Sequence, residues 1–129
     1  MKIIHTTESP APLGHYAQAV EQSGFVFLSG MLPARDLIDP AIHDFKAQAQ
    51  AVLDQCQKVI EAAGGTYADV VQVTAYMVGV ENWSAFNEVY SRAFGAHTPA
   101  RAIVPVPALH HGFAIELQVV AFIPEERRR

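Results

Sequence analysis

The chain has little cysteine, little charge and no long apolar run, and each shortage excludes a class of protein. Cys56 is its only cysteine, so no intrachain disulfide can form and no cysteine-based zinc site can be assembled. A lone thiol fits a reducing compartment, and the expected location is the cytoplasm. No uninterrupted apolar stretch approaches the roughly 20 residues that span a bilayer. The opening Met1-Lys2-Ile3-Ile4-His5 breaks off after two aliphatics, short of the roughly 7–15 apolar residues of a signal peptide. A membrane partner is not expected. Only 17% of residues are charged, and the formal net charge of −4 supplies no general attraction for phosphate backbones. Nucleic acid is not an expected partner either.

Several chemical fingerprints are missing as well. Neither Gly-x-Gly-x-x-Gly nor a Walker-type Gly-Lys-Ser/Thr occurs, so neither nucleotide-binding loop is present. The six histidines include no His-x-x-x-His pair and no carboxylate at a ligand-like offset, so no metal site is expected. Cys56 falls on the apolar stripe of an expected helix, where a thiol behaves as a small hydrophobe.

What is there is hydrophobic and regularly patterned. Half of the 129 residues are hydrophobic, which places the chain among folding sequences and suits one domain over residues 1–129. A short strand is expected at Lys2–His5, then a loop at Glu8–Gly14 containing Pro10, Pro12 and Gly14. Ala17–Glu21 and Phe25–Ser29 flank Gln22-Ser23-Gly24 as a hairpin. Asp39-Pro40 resembles a helix start. Phe45, Ala49, Val52, Leu53, Cys56, Val59, Ile60 and Ala63 recur at helical spacing up to the stop Gly64-Gly65.

Val71, Val73, Ala75 and Met77 alternate with polar residues as a strand. Asn82 is placed to cap a second helix carrying Trp83, Phe86, Val89, Tyr90 and Phe94. Two strands, Arg101–Val106 and Phe113–Ile123, and a solvated tail Glu125–Arg129 close the chain. The order is β-β-β-α-β-α-β-β. Two helices can cover only one face of a five- or six-stranded sheet. The other face carries Tyr76, Val78, Val120 and Phe122, and a second copy of the chain is the expected cover.

Polar residues inside the apolar strands are the candidates for chemistry. Arg101 opens a buried-looking strand, where an unpaired charge is costly. Its planar fork suits either a substrate carboxylate or an internal acid such as Glu116. Glu116, among Ala114, Ile115 and Leu117, could serve acid-base chemistry or a structural ion pair. Ser29-Gly30 offers a hydroxyl, a backbone N–H and room for close approach, and equally an ordinary turn. Tyr16 and Asn87 read on their own as hydrogen-bonding residues.

Four segments together resemble the RidA/YjgF family of enamine/imine deaminases: Gly14–Val20, Phe27–Pro33, Phe86–Tyr90, and Thr98–Arg101 leading to Ile115-Glu116. The resemblance implies a chorismate-mutase-like α+β fold with a mixed sheet of about six strands and two helices on one face. It also implies a homotrimer with sites between subunits. It assigns Arg101 to the substrate carboxylate and Glu116 to the water. Tyr16, Ser29, Gly30 and Asn87 line the cleft with Met31 and Ile103.

The substrate so implied is a small carboxylate such as 2-aminoacrylate, converted to a 2-keto acid and ammonia without a cofactor. His15, Met31 and Ile103 depart from the proline, glutamine and cysteine common at these places, which bears on pocket shape. The alternatives are a non-catalytic regulatory protein that binds small carboxylates, and an endoribonuclease or translation inhibitor.

Overall fold

The computed structural model describes residues 1–129. Strands β1 (Lys2–Ile4), β2 (Ala19–Gln22) and β3 (Phe25–Leu28) lead into helix α1 (Phe45–Ala62). Strand β4 (Val70–Met77), helix α2 (Trp83–Phe94), and strands β5 (Ala100–Pro105) and β6 (Ile115–Phe122) follow. The strands form one mixed sheet in the order β1-β2-β3-β6-β4-β5. Only β4 and β5 run parallel, and α2 is the crossover that such a pair requires. The β2–β3 turn is Ser23-Gly24, both at positive φ, with Gln22 paired to Phe25. This is the turn geometry whose twist matches a hairpin.

Helix α1 begins at Phe45, five residues after the start expected at Pro40. Asp39 does cap a turn, accepting from the Ala41 N–H at 2.9 Å, but the chain becomes extended again at Asp44. That residue is the true N-cap, its carboxylate accepting from Ala47 N–H at 2.9 Å. At the other end Gly65 N–H bonds Ile60 O and Gly64 N–H bonds Glu61 O. Those are the two bonds of a Schellman motif, with Gly64 at φ +100°.

The stripe of α1 packs as its spacing requires. Val52, Leu53, Val59 and Ile60 are buried with Val73, Ala75, Ile115, Leu117, Val119 and Ala121 of the sheet in one core. Each such side chain contributes about 1.5–3 kcal/mol by leaving water. Gln48 fixes α1 against the sheet, accepting from Ala114 N–H at 2.9 Å and donating to His43 O.

Three further expectations are corrected or refined. Val70, not Val71, faces the core, because Val71 is a bulge between the pairs Val70–Ala121 and Gln72–Val120. Asn82 stands at the N-cap position of α2 but makes no side-chain capping bond; it lies in a 3₁₀ turn, Val80–Asn82, and donates back to Val78 O at 3.0 Å. The tail is solvated, with Glu125, Glu126, Arg127 and Arg129 exposed, but it is also pinned: Arg127 grips Asp69 through two hydrogen bonds of 2.8 Å. Arg129 N–H also bonds Ala63 O. The guanidinium hydrogen bonds hold the Asp69 carboxyl below the usual range, outweighing its partial burial.

Both helices lie against the face carrying Ile115, Leu117 and Val119. Phe25, Phe27, Phe122 and Val104 stand exposed on the other, with the rings of Phe25 and Phe122 5.0 Å apart. No helix is long and apolar enough to cross a membrane.

Candidate functional site

The candidate residues fall into two groups on opposite faces of the sheet. Arg101 is level with Val73 in the register of β5 on β4 and shares its face, beneath α2. Its Nη1 donates to Asn87 Oδ1 at 3.2 Å. The guanidinium carbon lies 4.7 Å from the Tyr90 ring centre and 5.9 Å from those of Trp83 and Phe86. Aromatic faces attract a cation, so the charge is held without an anion. Arg101 forms no ion pair, and the internal bridge to Glu116 is absent. Ile103, two residues on and on the same face, is partly buried against the core.

Glu116 is level with Tyr76 and turns away from its buried neighbours Ile115 and Leu117. It is half-buried, so the enclosure that the sequence suggested is not supplied by one chain. A Cβ on Gly30 would lie 2.5 Å from Glu116 Oε2. Glycine therefore lets the carboxylate rest against the bare backbone. The loop is held firmly: Ser29 Oγ donates to Ala17 O at 2.6 Å. Met31 exchanges backbone hydrogen bonds with Leu117 at 2.7 and 2.9 Å. Tyr16, 53% exposed, accepts from Leu13 N–H at 3.3 Å.

Met31 borders the same cavity as Tyr16, Ser29 and Gly30. Its side chain is buried in the core and its sulfur accepts from Gln55 Nε2 of α1 at 3.7 Å, on the face opposite Glu116. Cys56 is buried, and burial pushes its thiol up to about 12, so it stays protonated and inert.

The fold thus joins Arg101 to Asn87 and Ile103, and Glu116 to Gly30, but keeps the two groups apart. Arg101 and Glu116 are offset by three residues along β4, about 10 Å at roughly 3.3 Å per residue, besides facing opposite ways. The aromatic box of Trp83, Phe86 and Tyr90 was not foreseen as part of the site. Its signal was present, since Trp83 and Tyr90 stand four before and three after Asn87, on one helix face.

A six-stranded mixed sheet with both helices on one face and two separated polar half-sites defines an α+β protein of the Rid type. The chain belongs to that family: the profile described as Endoribonuclease L-PSP matches residues 6–123. A RutC family protein of Pyrococcus abyssi is 35% identical over 126 residues, covering 94% of this chain and 96% of that one. The crystal structure of RidA from the Antarctic bacterium Psychrobacter is 34% identical with a TM-score of 0.86, covering 95% and 100% of the two chains. E. coli TdcF with bound serine is 28% identical with a TM-score of 0.88, covering 96% and 100%.

Proposed function

We propose that this protein is a cofactor-free deaminase of reactive enamines and imines, acting at sites shared between neighbouring copies in a cytoplasmic homotrimer. One copy presents Arg101, Asn87 and Ile103; the next presents Glu116, Gly30, Ser29 and Tyr16. The observation that carries the reading is the Arg101 guanidinium, braced by an amide and three rings yet lacking an anion. A substrate carboxylate would complete it through two parallel hydrogen bonds. Assembly through the exposed Phe25, Phe27 and Phe122 would cover the open face.

In the reaction, 2-aminoacrylate tautomerises to the imine, a water oxygen bonds to the imine carbon, and the C–N bond breaks to release ammonia and the 2-keto acid. Arg101 orients the reacting carbon. Glu116 takes a proton from the attacking water and returns one to the departing nitrogen.

The test is keto-acid and ammonia release from 2-aminoacrylate generated in place by a separate enzyme. Arg101→Ala should lower kcat/KM about 10- to 150-fold, from the roughly 1.5–3 kcal/mol of charged hydrogen bonding removed. An unchanged rate in the folded variant rejects the reading. The serine bound in E. coli TdcF favours a second reading, a carboxylate sensor, which binding without turnover across several enamines would support. The family's endoribonuclease description finds no support in a net charge of −4.

A further inference from the structure

Trp83 is the chain's only tryptophan, and its setting runs against its chemistry. An indole is among the largest apolar groups a side chain carries, yet Trp83, the first residue of α2, is 49% exposed. The other two rings around Arg101 are treated differently: Phe86 is 0% and Tyr90 7% exposed, and both belong to the core. Those two brace the guanidinium from inside. Trp83 comes as close to the guanidinium carbon as Phe86 does, 5.9 Å from each ring centre, while keeping about half of its surface in water.

Helix α2 leads from β4 back to the start of the parallel strand β5, so it runs against β5. Its first residue therefore stands toward the Ile103 end of that strand, and Tyr90, two turns later, toward the Arg101 end. The one side-chain hydrogen bond of Arg101 goes to Asn87. Ile103, partly buried against the core, and the open side of Trp83 make the rest of this wall apolar. A carboxylic acid held on the guanidinium thus meets, beyond its carboxylate, an indole and an aliphatic side chain.

We propose that Trp83 sets the substrate class of the Arg101 half-site: carboxylic acids with an aromatic ring on the third carbon, the carboxylate held by Arg101 and the ring stacked offset on the indole. Under the deaminase reading, on which this choice of substrate rests, aromatic 2-imino acids are preferred and 2-aminoacrylate is a poorer substrate. The third carbon of 2-aminoacrylate is a bare methylene, which leaves the indole in water. An aliphatic side chain gains contact area there, but only a ring adds the attraction between two π-systems.

Binding tests this without turnover. The full-length protein is titrated calorimetrically with 3-phenyllactate, 2-hydroxy-4-methylpentanoate and lactate, which share a 2-hydroxy acid head and differ in side chain. Phenyllactate should bind about two- to twelvefold more tightly than the methylpentanoate, the factor expected of one aromatic pair, and lactate should bind most weakly. With no other tryptophan in the chain, indole emission reports on Trp83 alone, and phenyllactate should change it most. Because Trp83 is exposed, its variants should fold: Trp83→Phe should keep the ranking and Trp83→Leu should erase it. Arg101→Ala should weaken all three acids.

Equal affinity for phenyllactate and the aliphatic acid, no binding of either, or a ranking that survives in Trp83→Leu overturns the proposal. So does an equal loss for all three acids in Trp83→Leu, which would make the indole a brace for Arg101 and nothing more. A changed sedimentation of that variant overturns it too, by making Trp83 an interface residue. The same ranking should appear in kcat/KM for the imines that an amino acid oxidase releases from phenylalanine and leucine. Equal kcat/KM for the two imines overturns the aromatic class and leaves the deaminase reading standing. Ranked binding without turnover of either imine supports the aromatic subsite and rejects the deaminase reading.

Discussion

The Arg101 half of the site and the Glu116 half are built on opposite plans. Arg101 is carried by a strand and braced by a helix, its charge offset by ring faces and one amide oxygen. Glu116 lies on a central strand and depends on a glycine loop that leaves room for its carboxylate. The first is a charge with no ion-pair partner. The second is an acid beside open backbone. The sheet between them prevents one small molecule from touching both within a single chain.

The comparison is broken most severely by preventing assembly. Phe27 is 46% exposed on the open face, so Phe27→Lys should leave the fold intact by circular dichroism while sedimentation shows monomers without deaminase activity. A monomer that retains full turnover would mean that one chain suffices. The Arg101→Ala loss in kcat/KM comes next in size. Smaller still is the recovery from mixing Arg101→Ala and Glu116→Gln chains, unfolded together and refolded. In a random assembly about one quarter of the shared sites regain both groups, whereas a site within one chain regains none.

Two smaller effects sharpen the contrast between site and scaffold. Arg127→Ala should lower stability only slightly near neutral pH, as removal of an exposed ion pair does, without changing kcat. Because the folded Asp69 pKa is depressed, chiefly by Arg127, this contribution is present above the unfolded carboxyl value of about 3.9. It disappears as pH falls through the lower folded value, and chemical denaturation at several pH values would show it. Tyr90→Phe removes a buried hydroxyl that has no partner but keeps the ring facing Arg101. Its stability should change by less than about 1 kcal/mol, with substrate binding retained; a large loss of binding would show that the hydroxyl, rather than the ring, serves the site.

Much of the scaffold was legible because it depends on local spacing. The α1 stripe, the Gly64-Gly65 stop and the alternation along β6 each follow from residues within a few turns or pleats of one another. The features that were not foreseen depend on distant partners. Val71 becomes a bulge only against β6, the tail is held by Asp69, and Met31 is drawn inward by Leu117 and Gln55. The Trp83–Asn87–Tyr90 face was legible in principle, but nothing local indicated that a cation from β5 would lie against it.

For the candidate site, the sequence alone determined that an arginine and a glutamate stand within apolar strands, and that a glycine and a serine follow another. The resemblance in four segments attached a chemistry to them. Only the tertiary structure decided that Arg101 and Glu116 face opposite sides of the sheet and form no pair. The physical reason is that alternation assigns a residue to one side of its own strand, while strand order and register relate that side to another strand's. Those are set by hydrogen bonds and core packing between segments far apart in the chain.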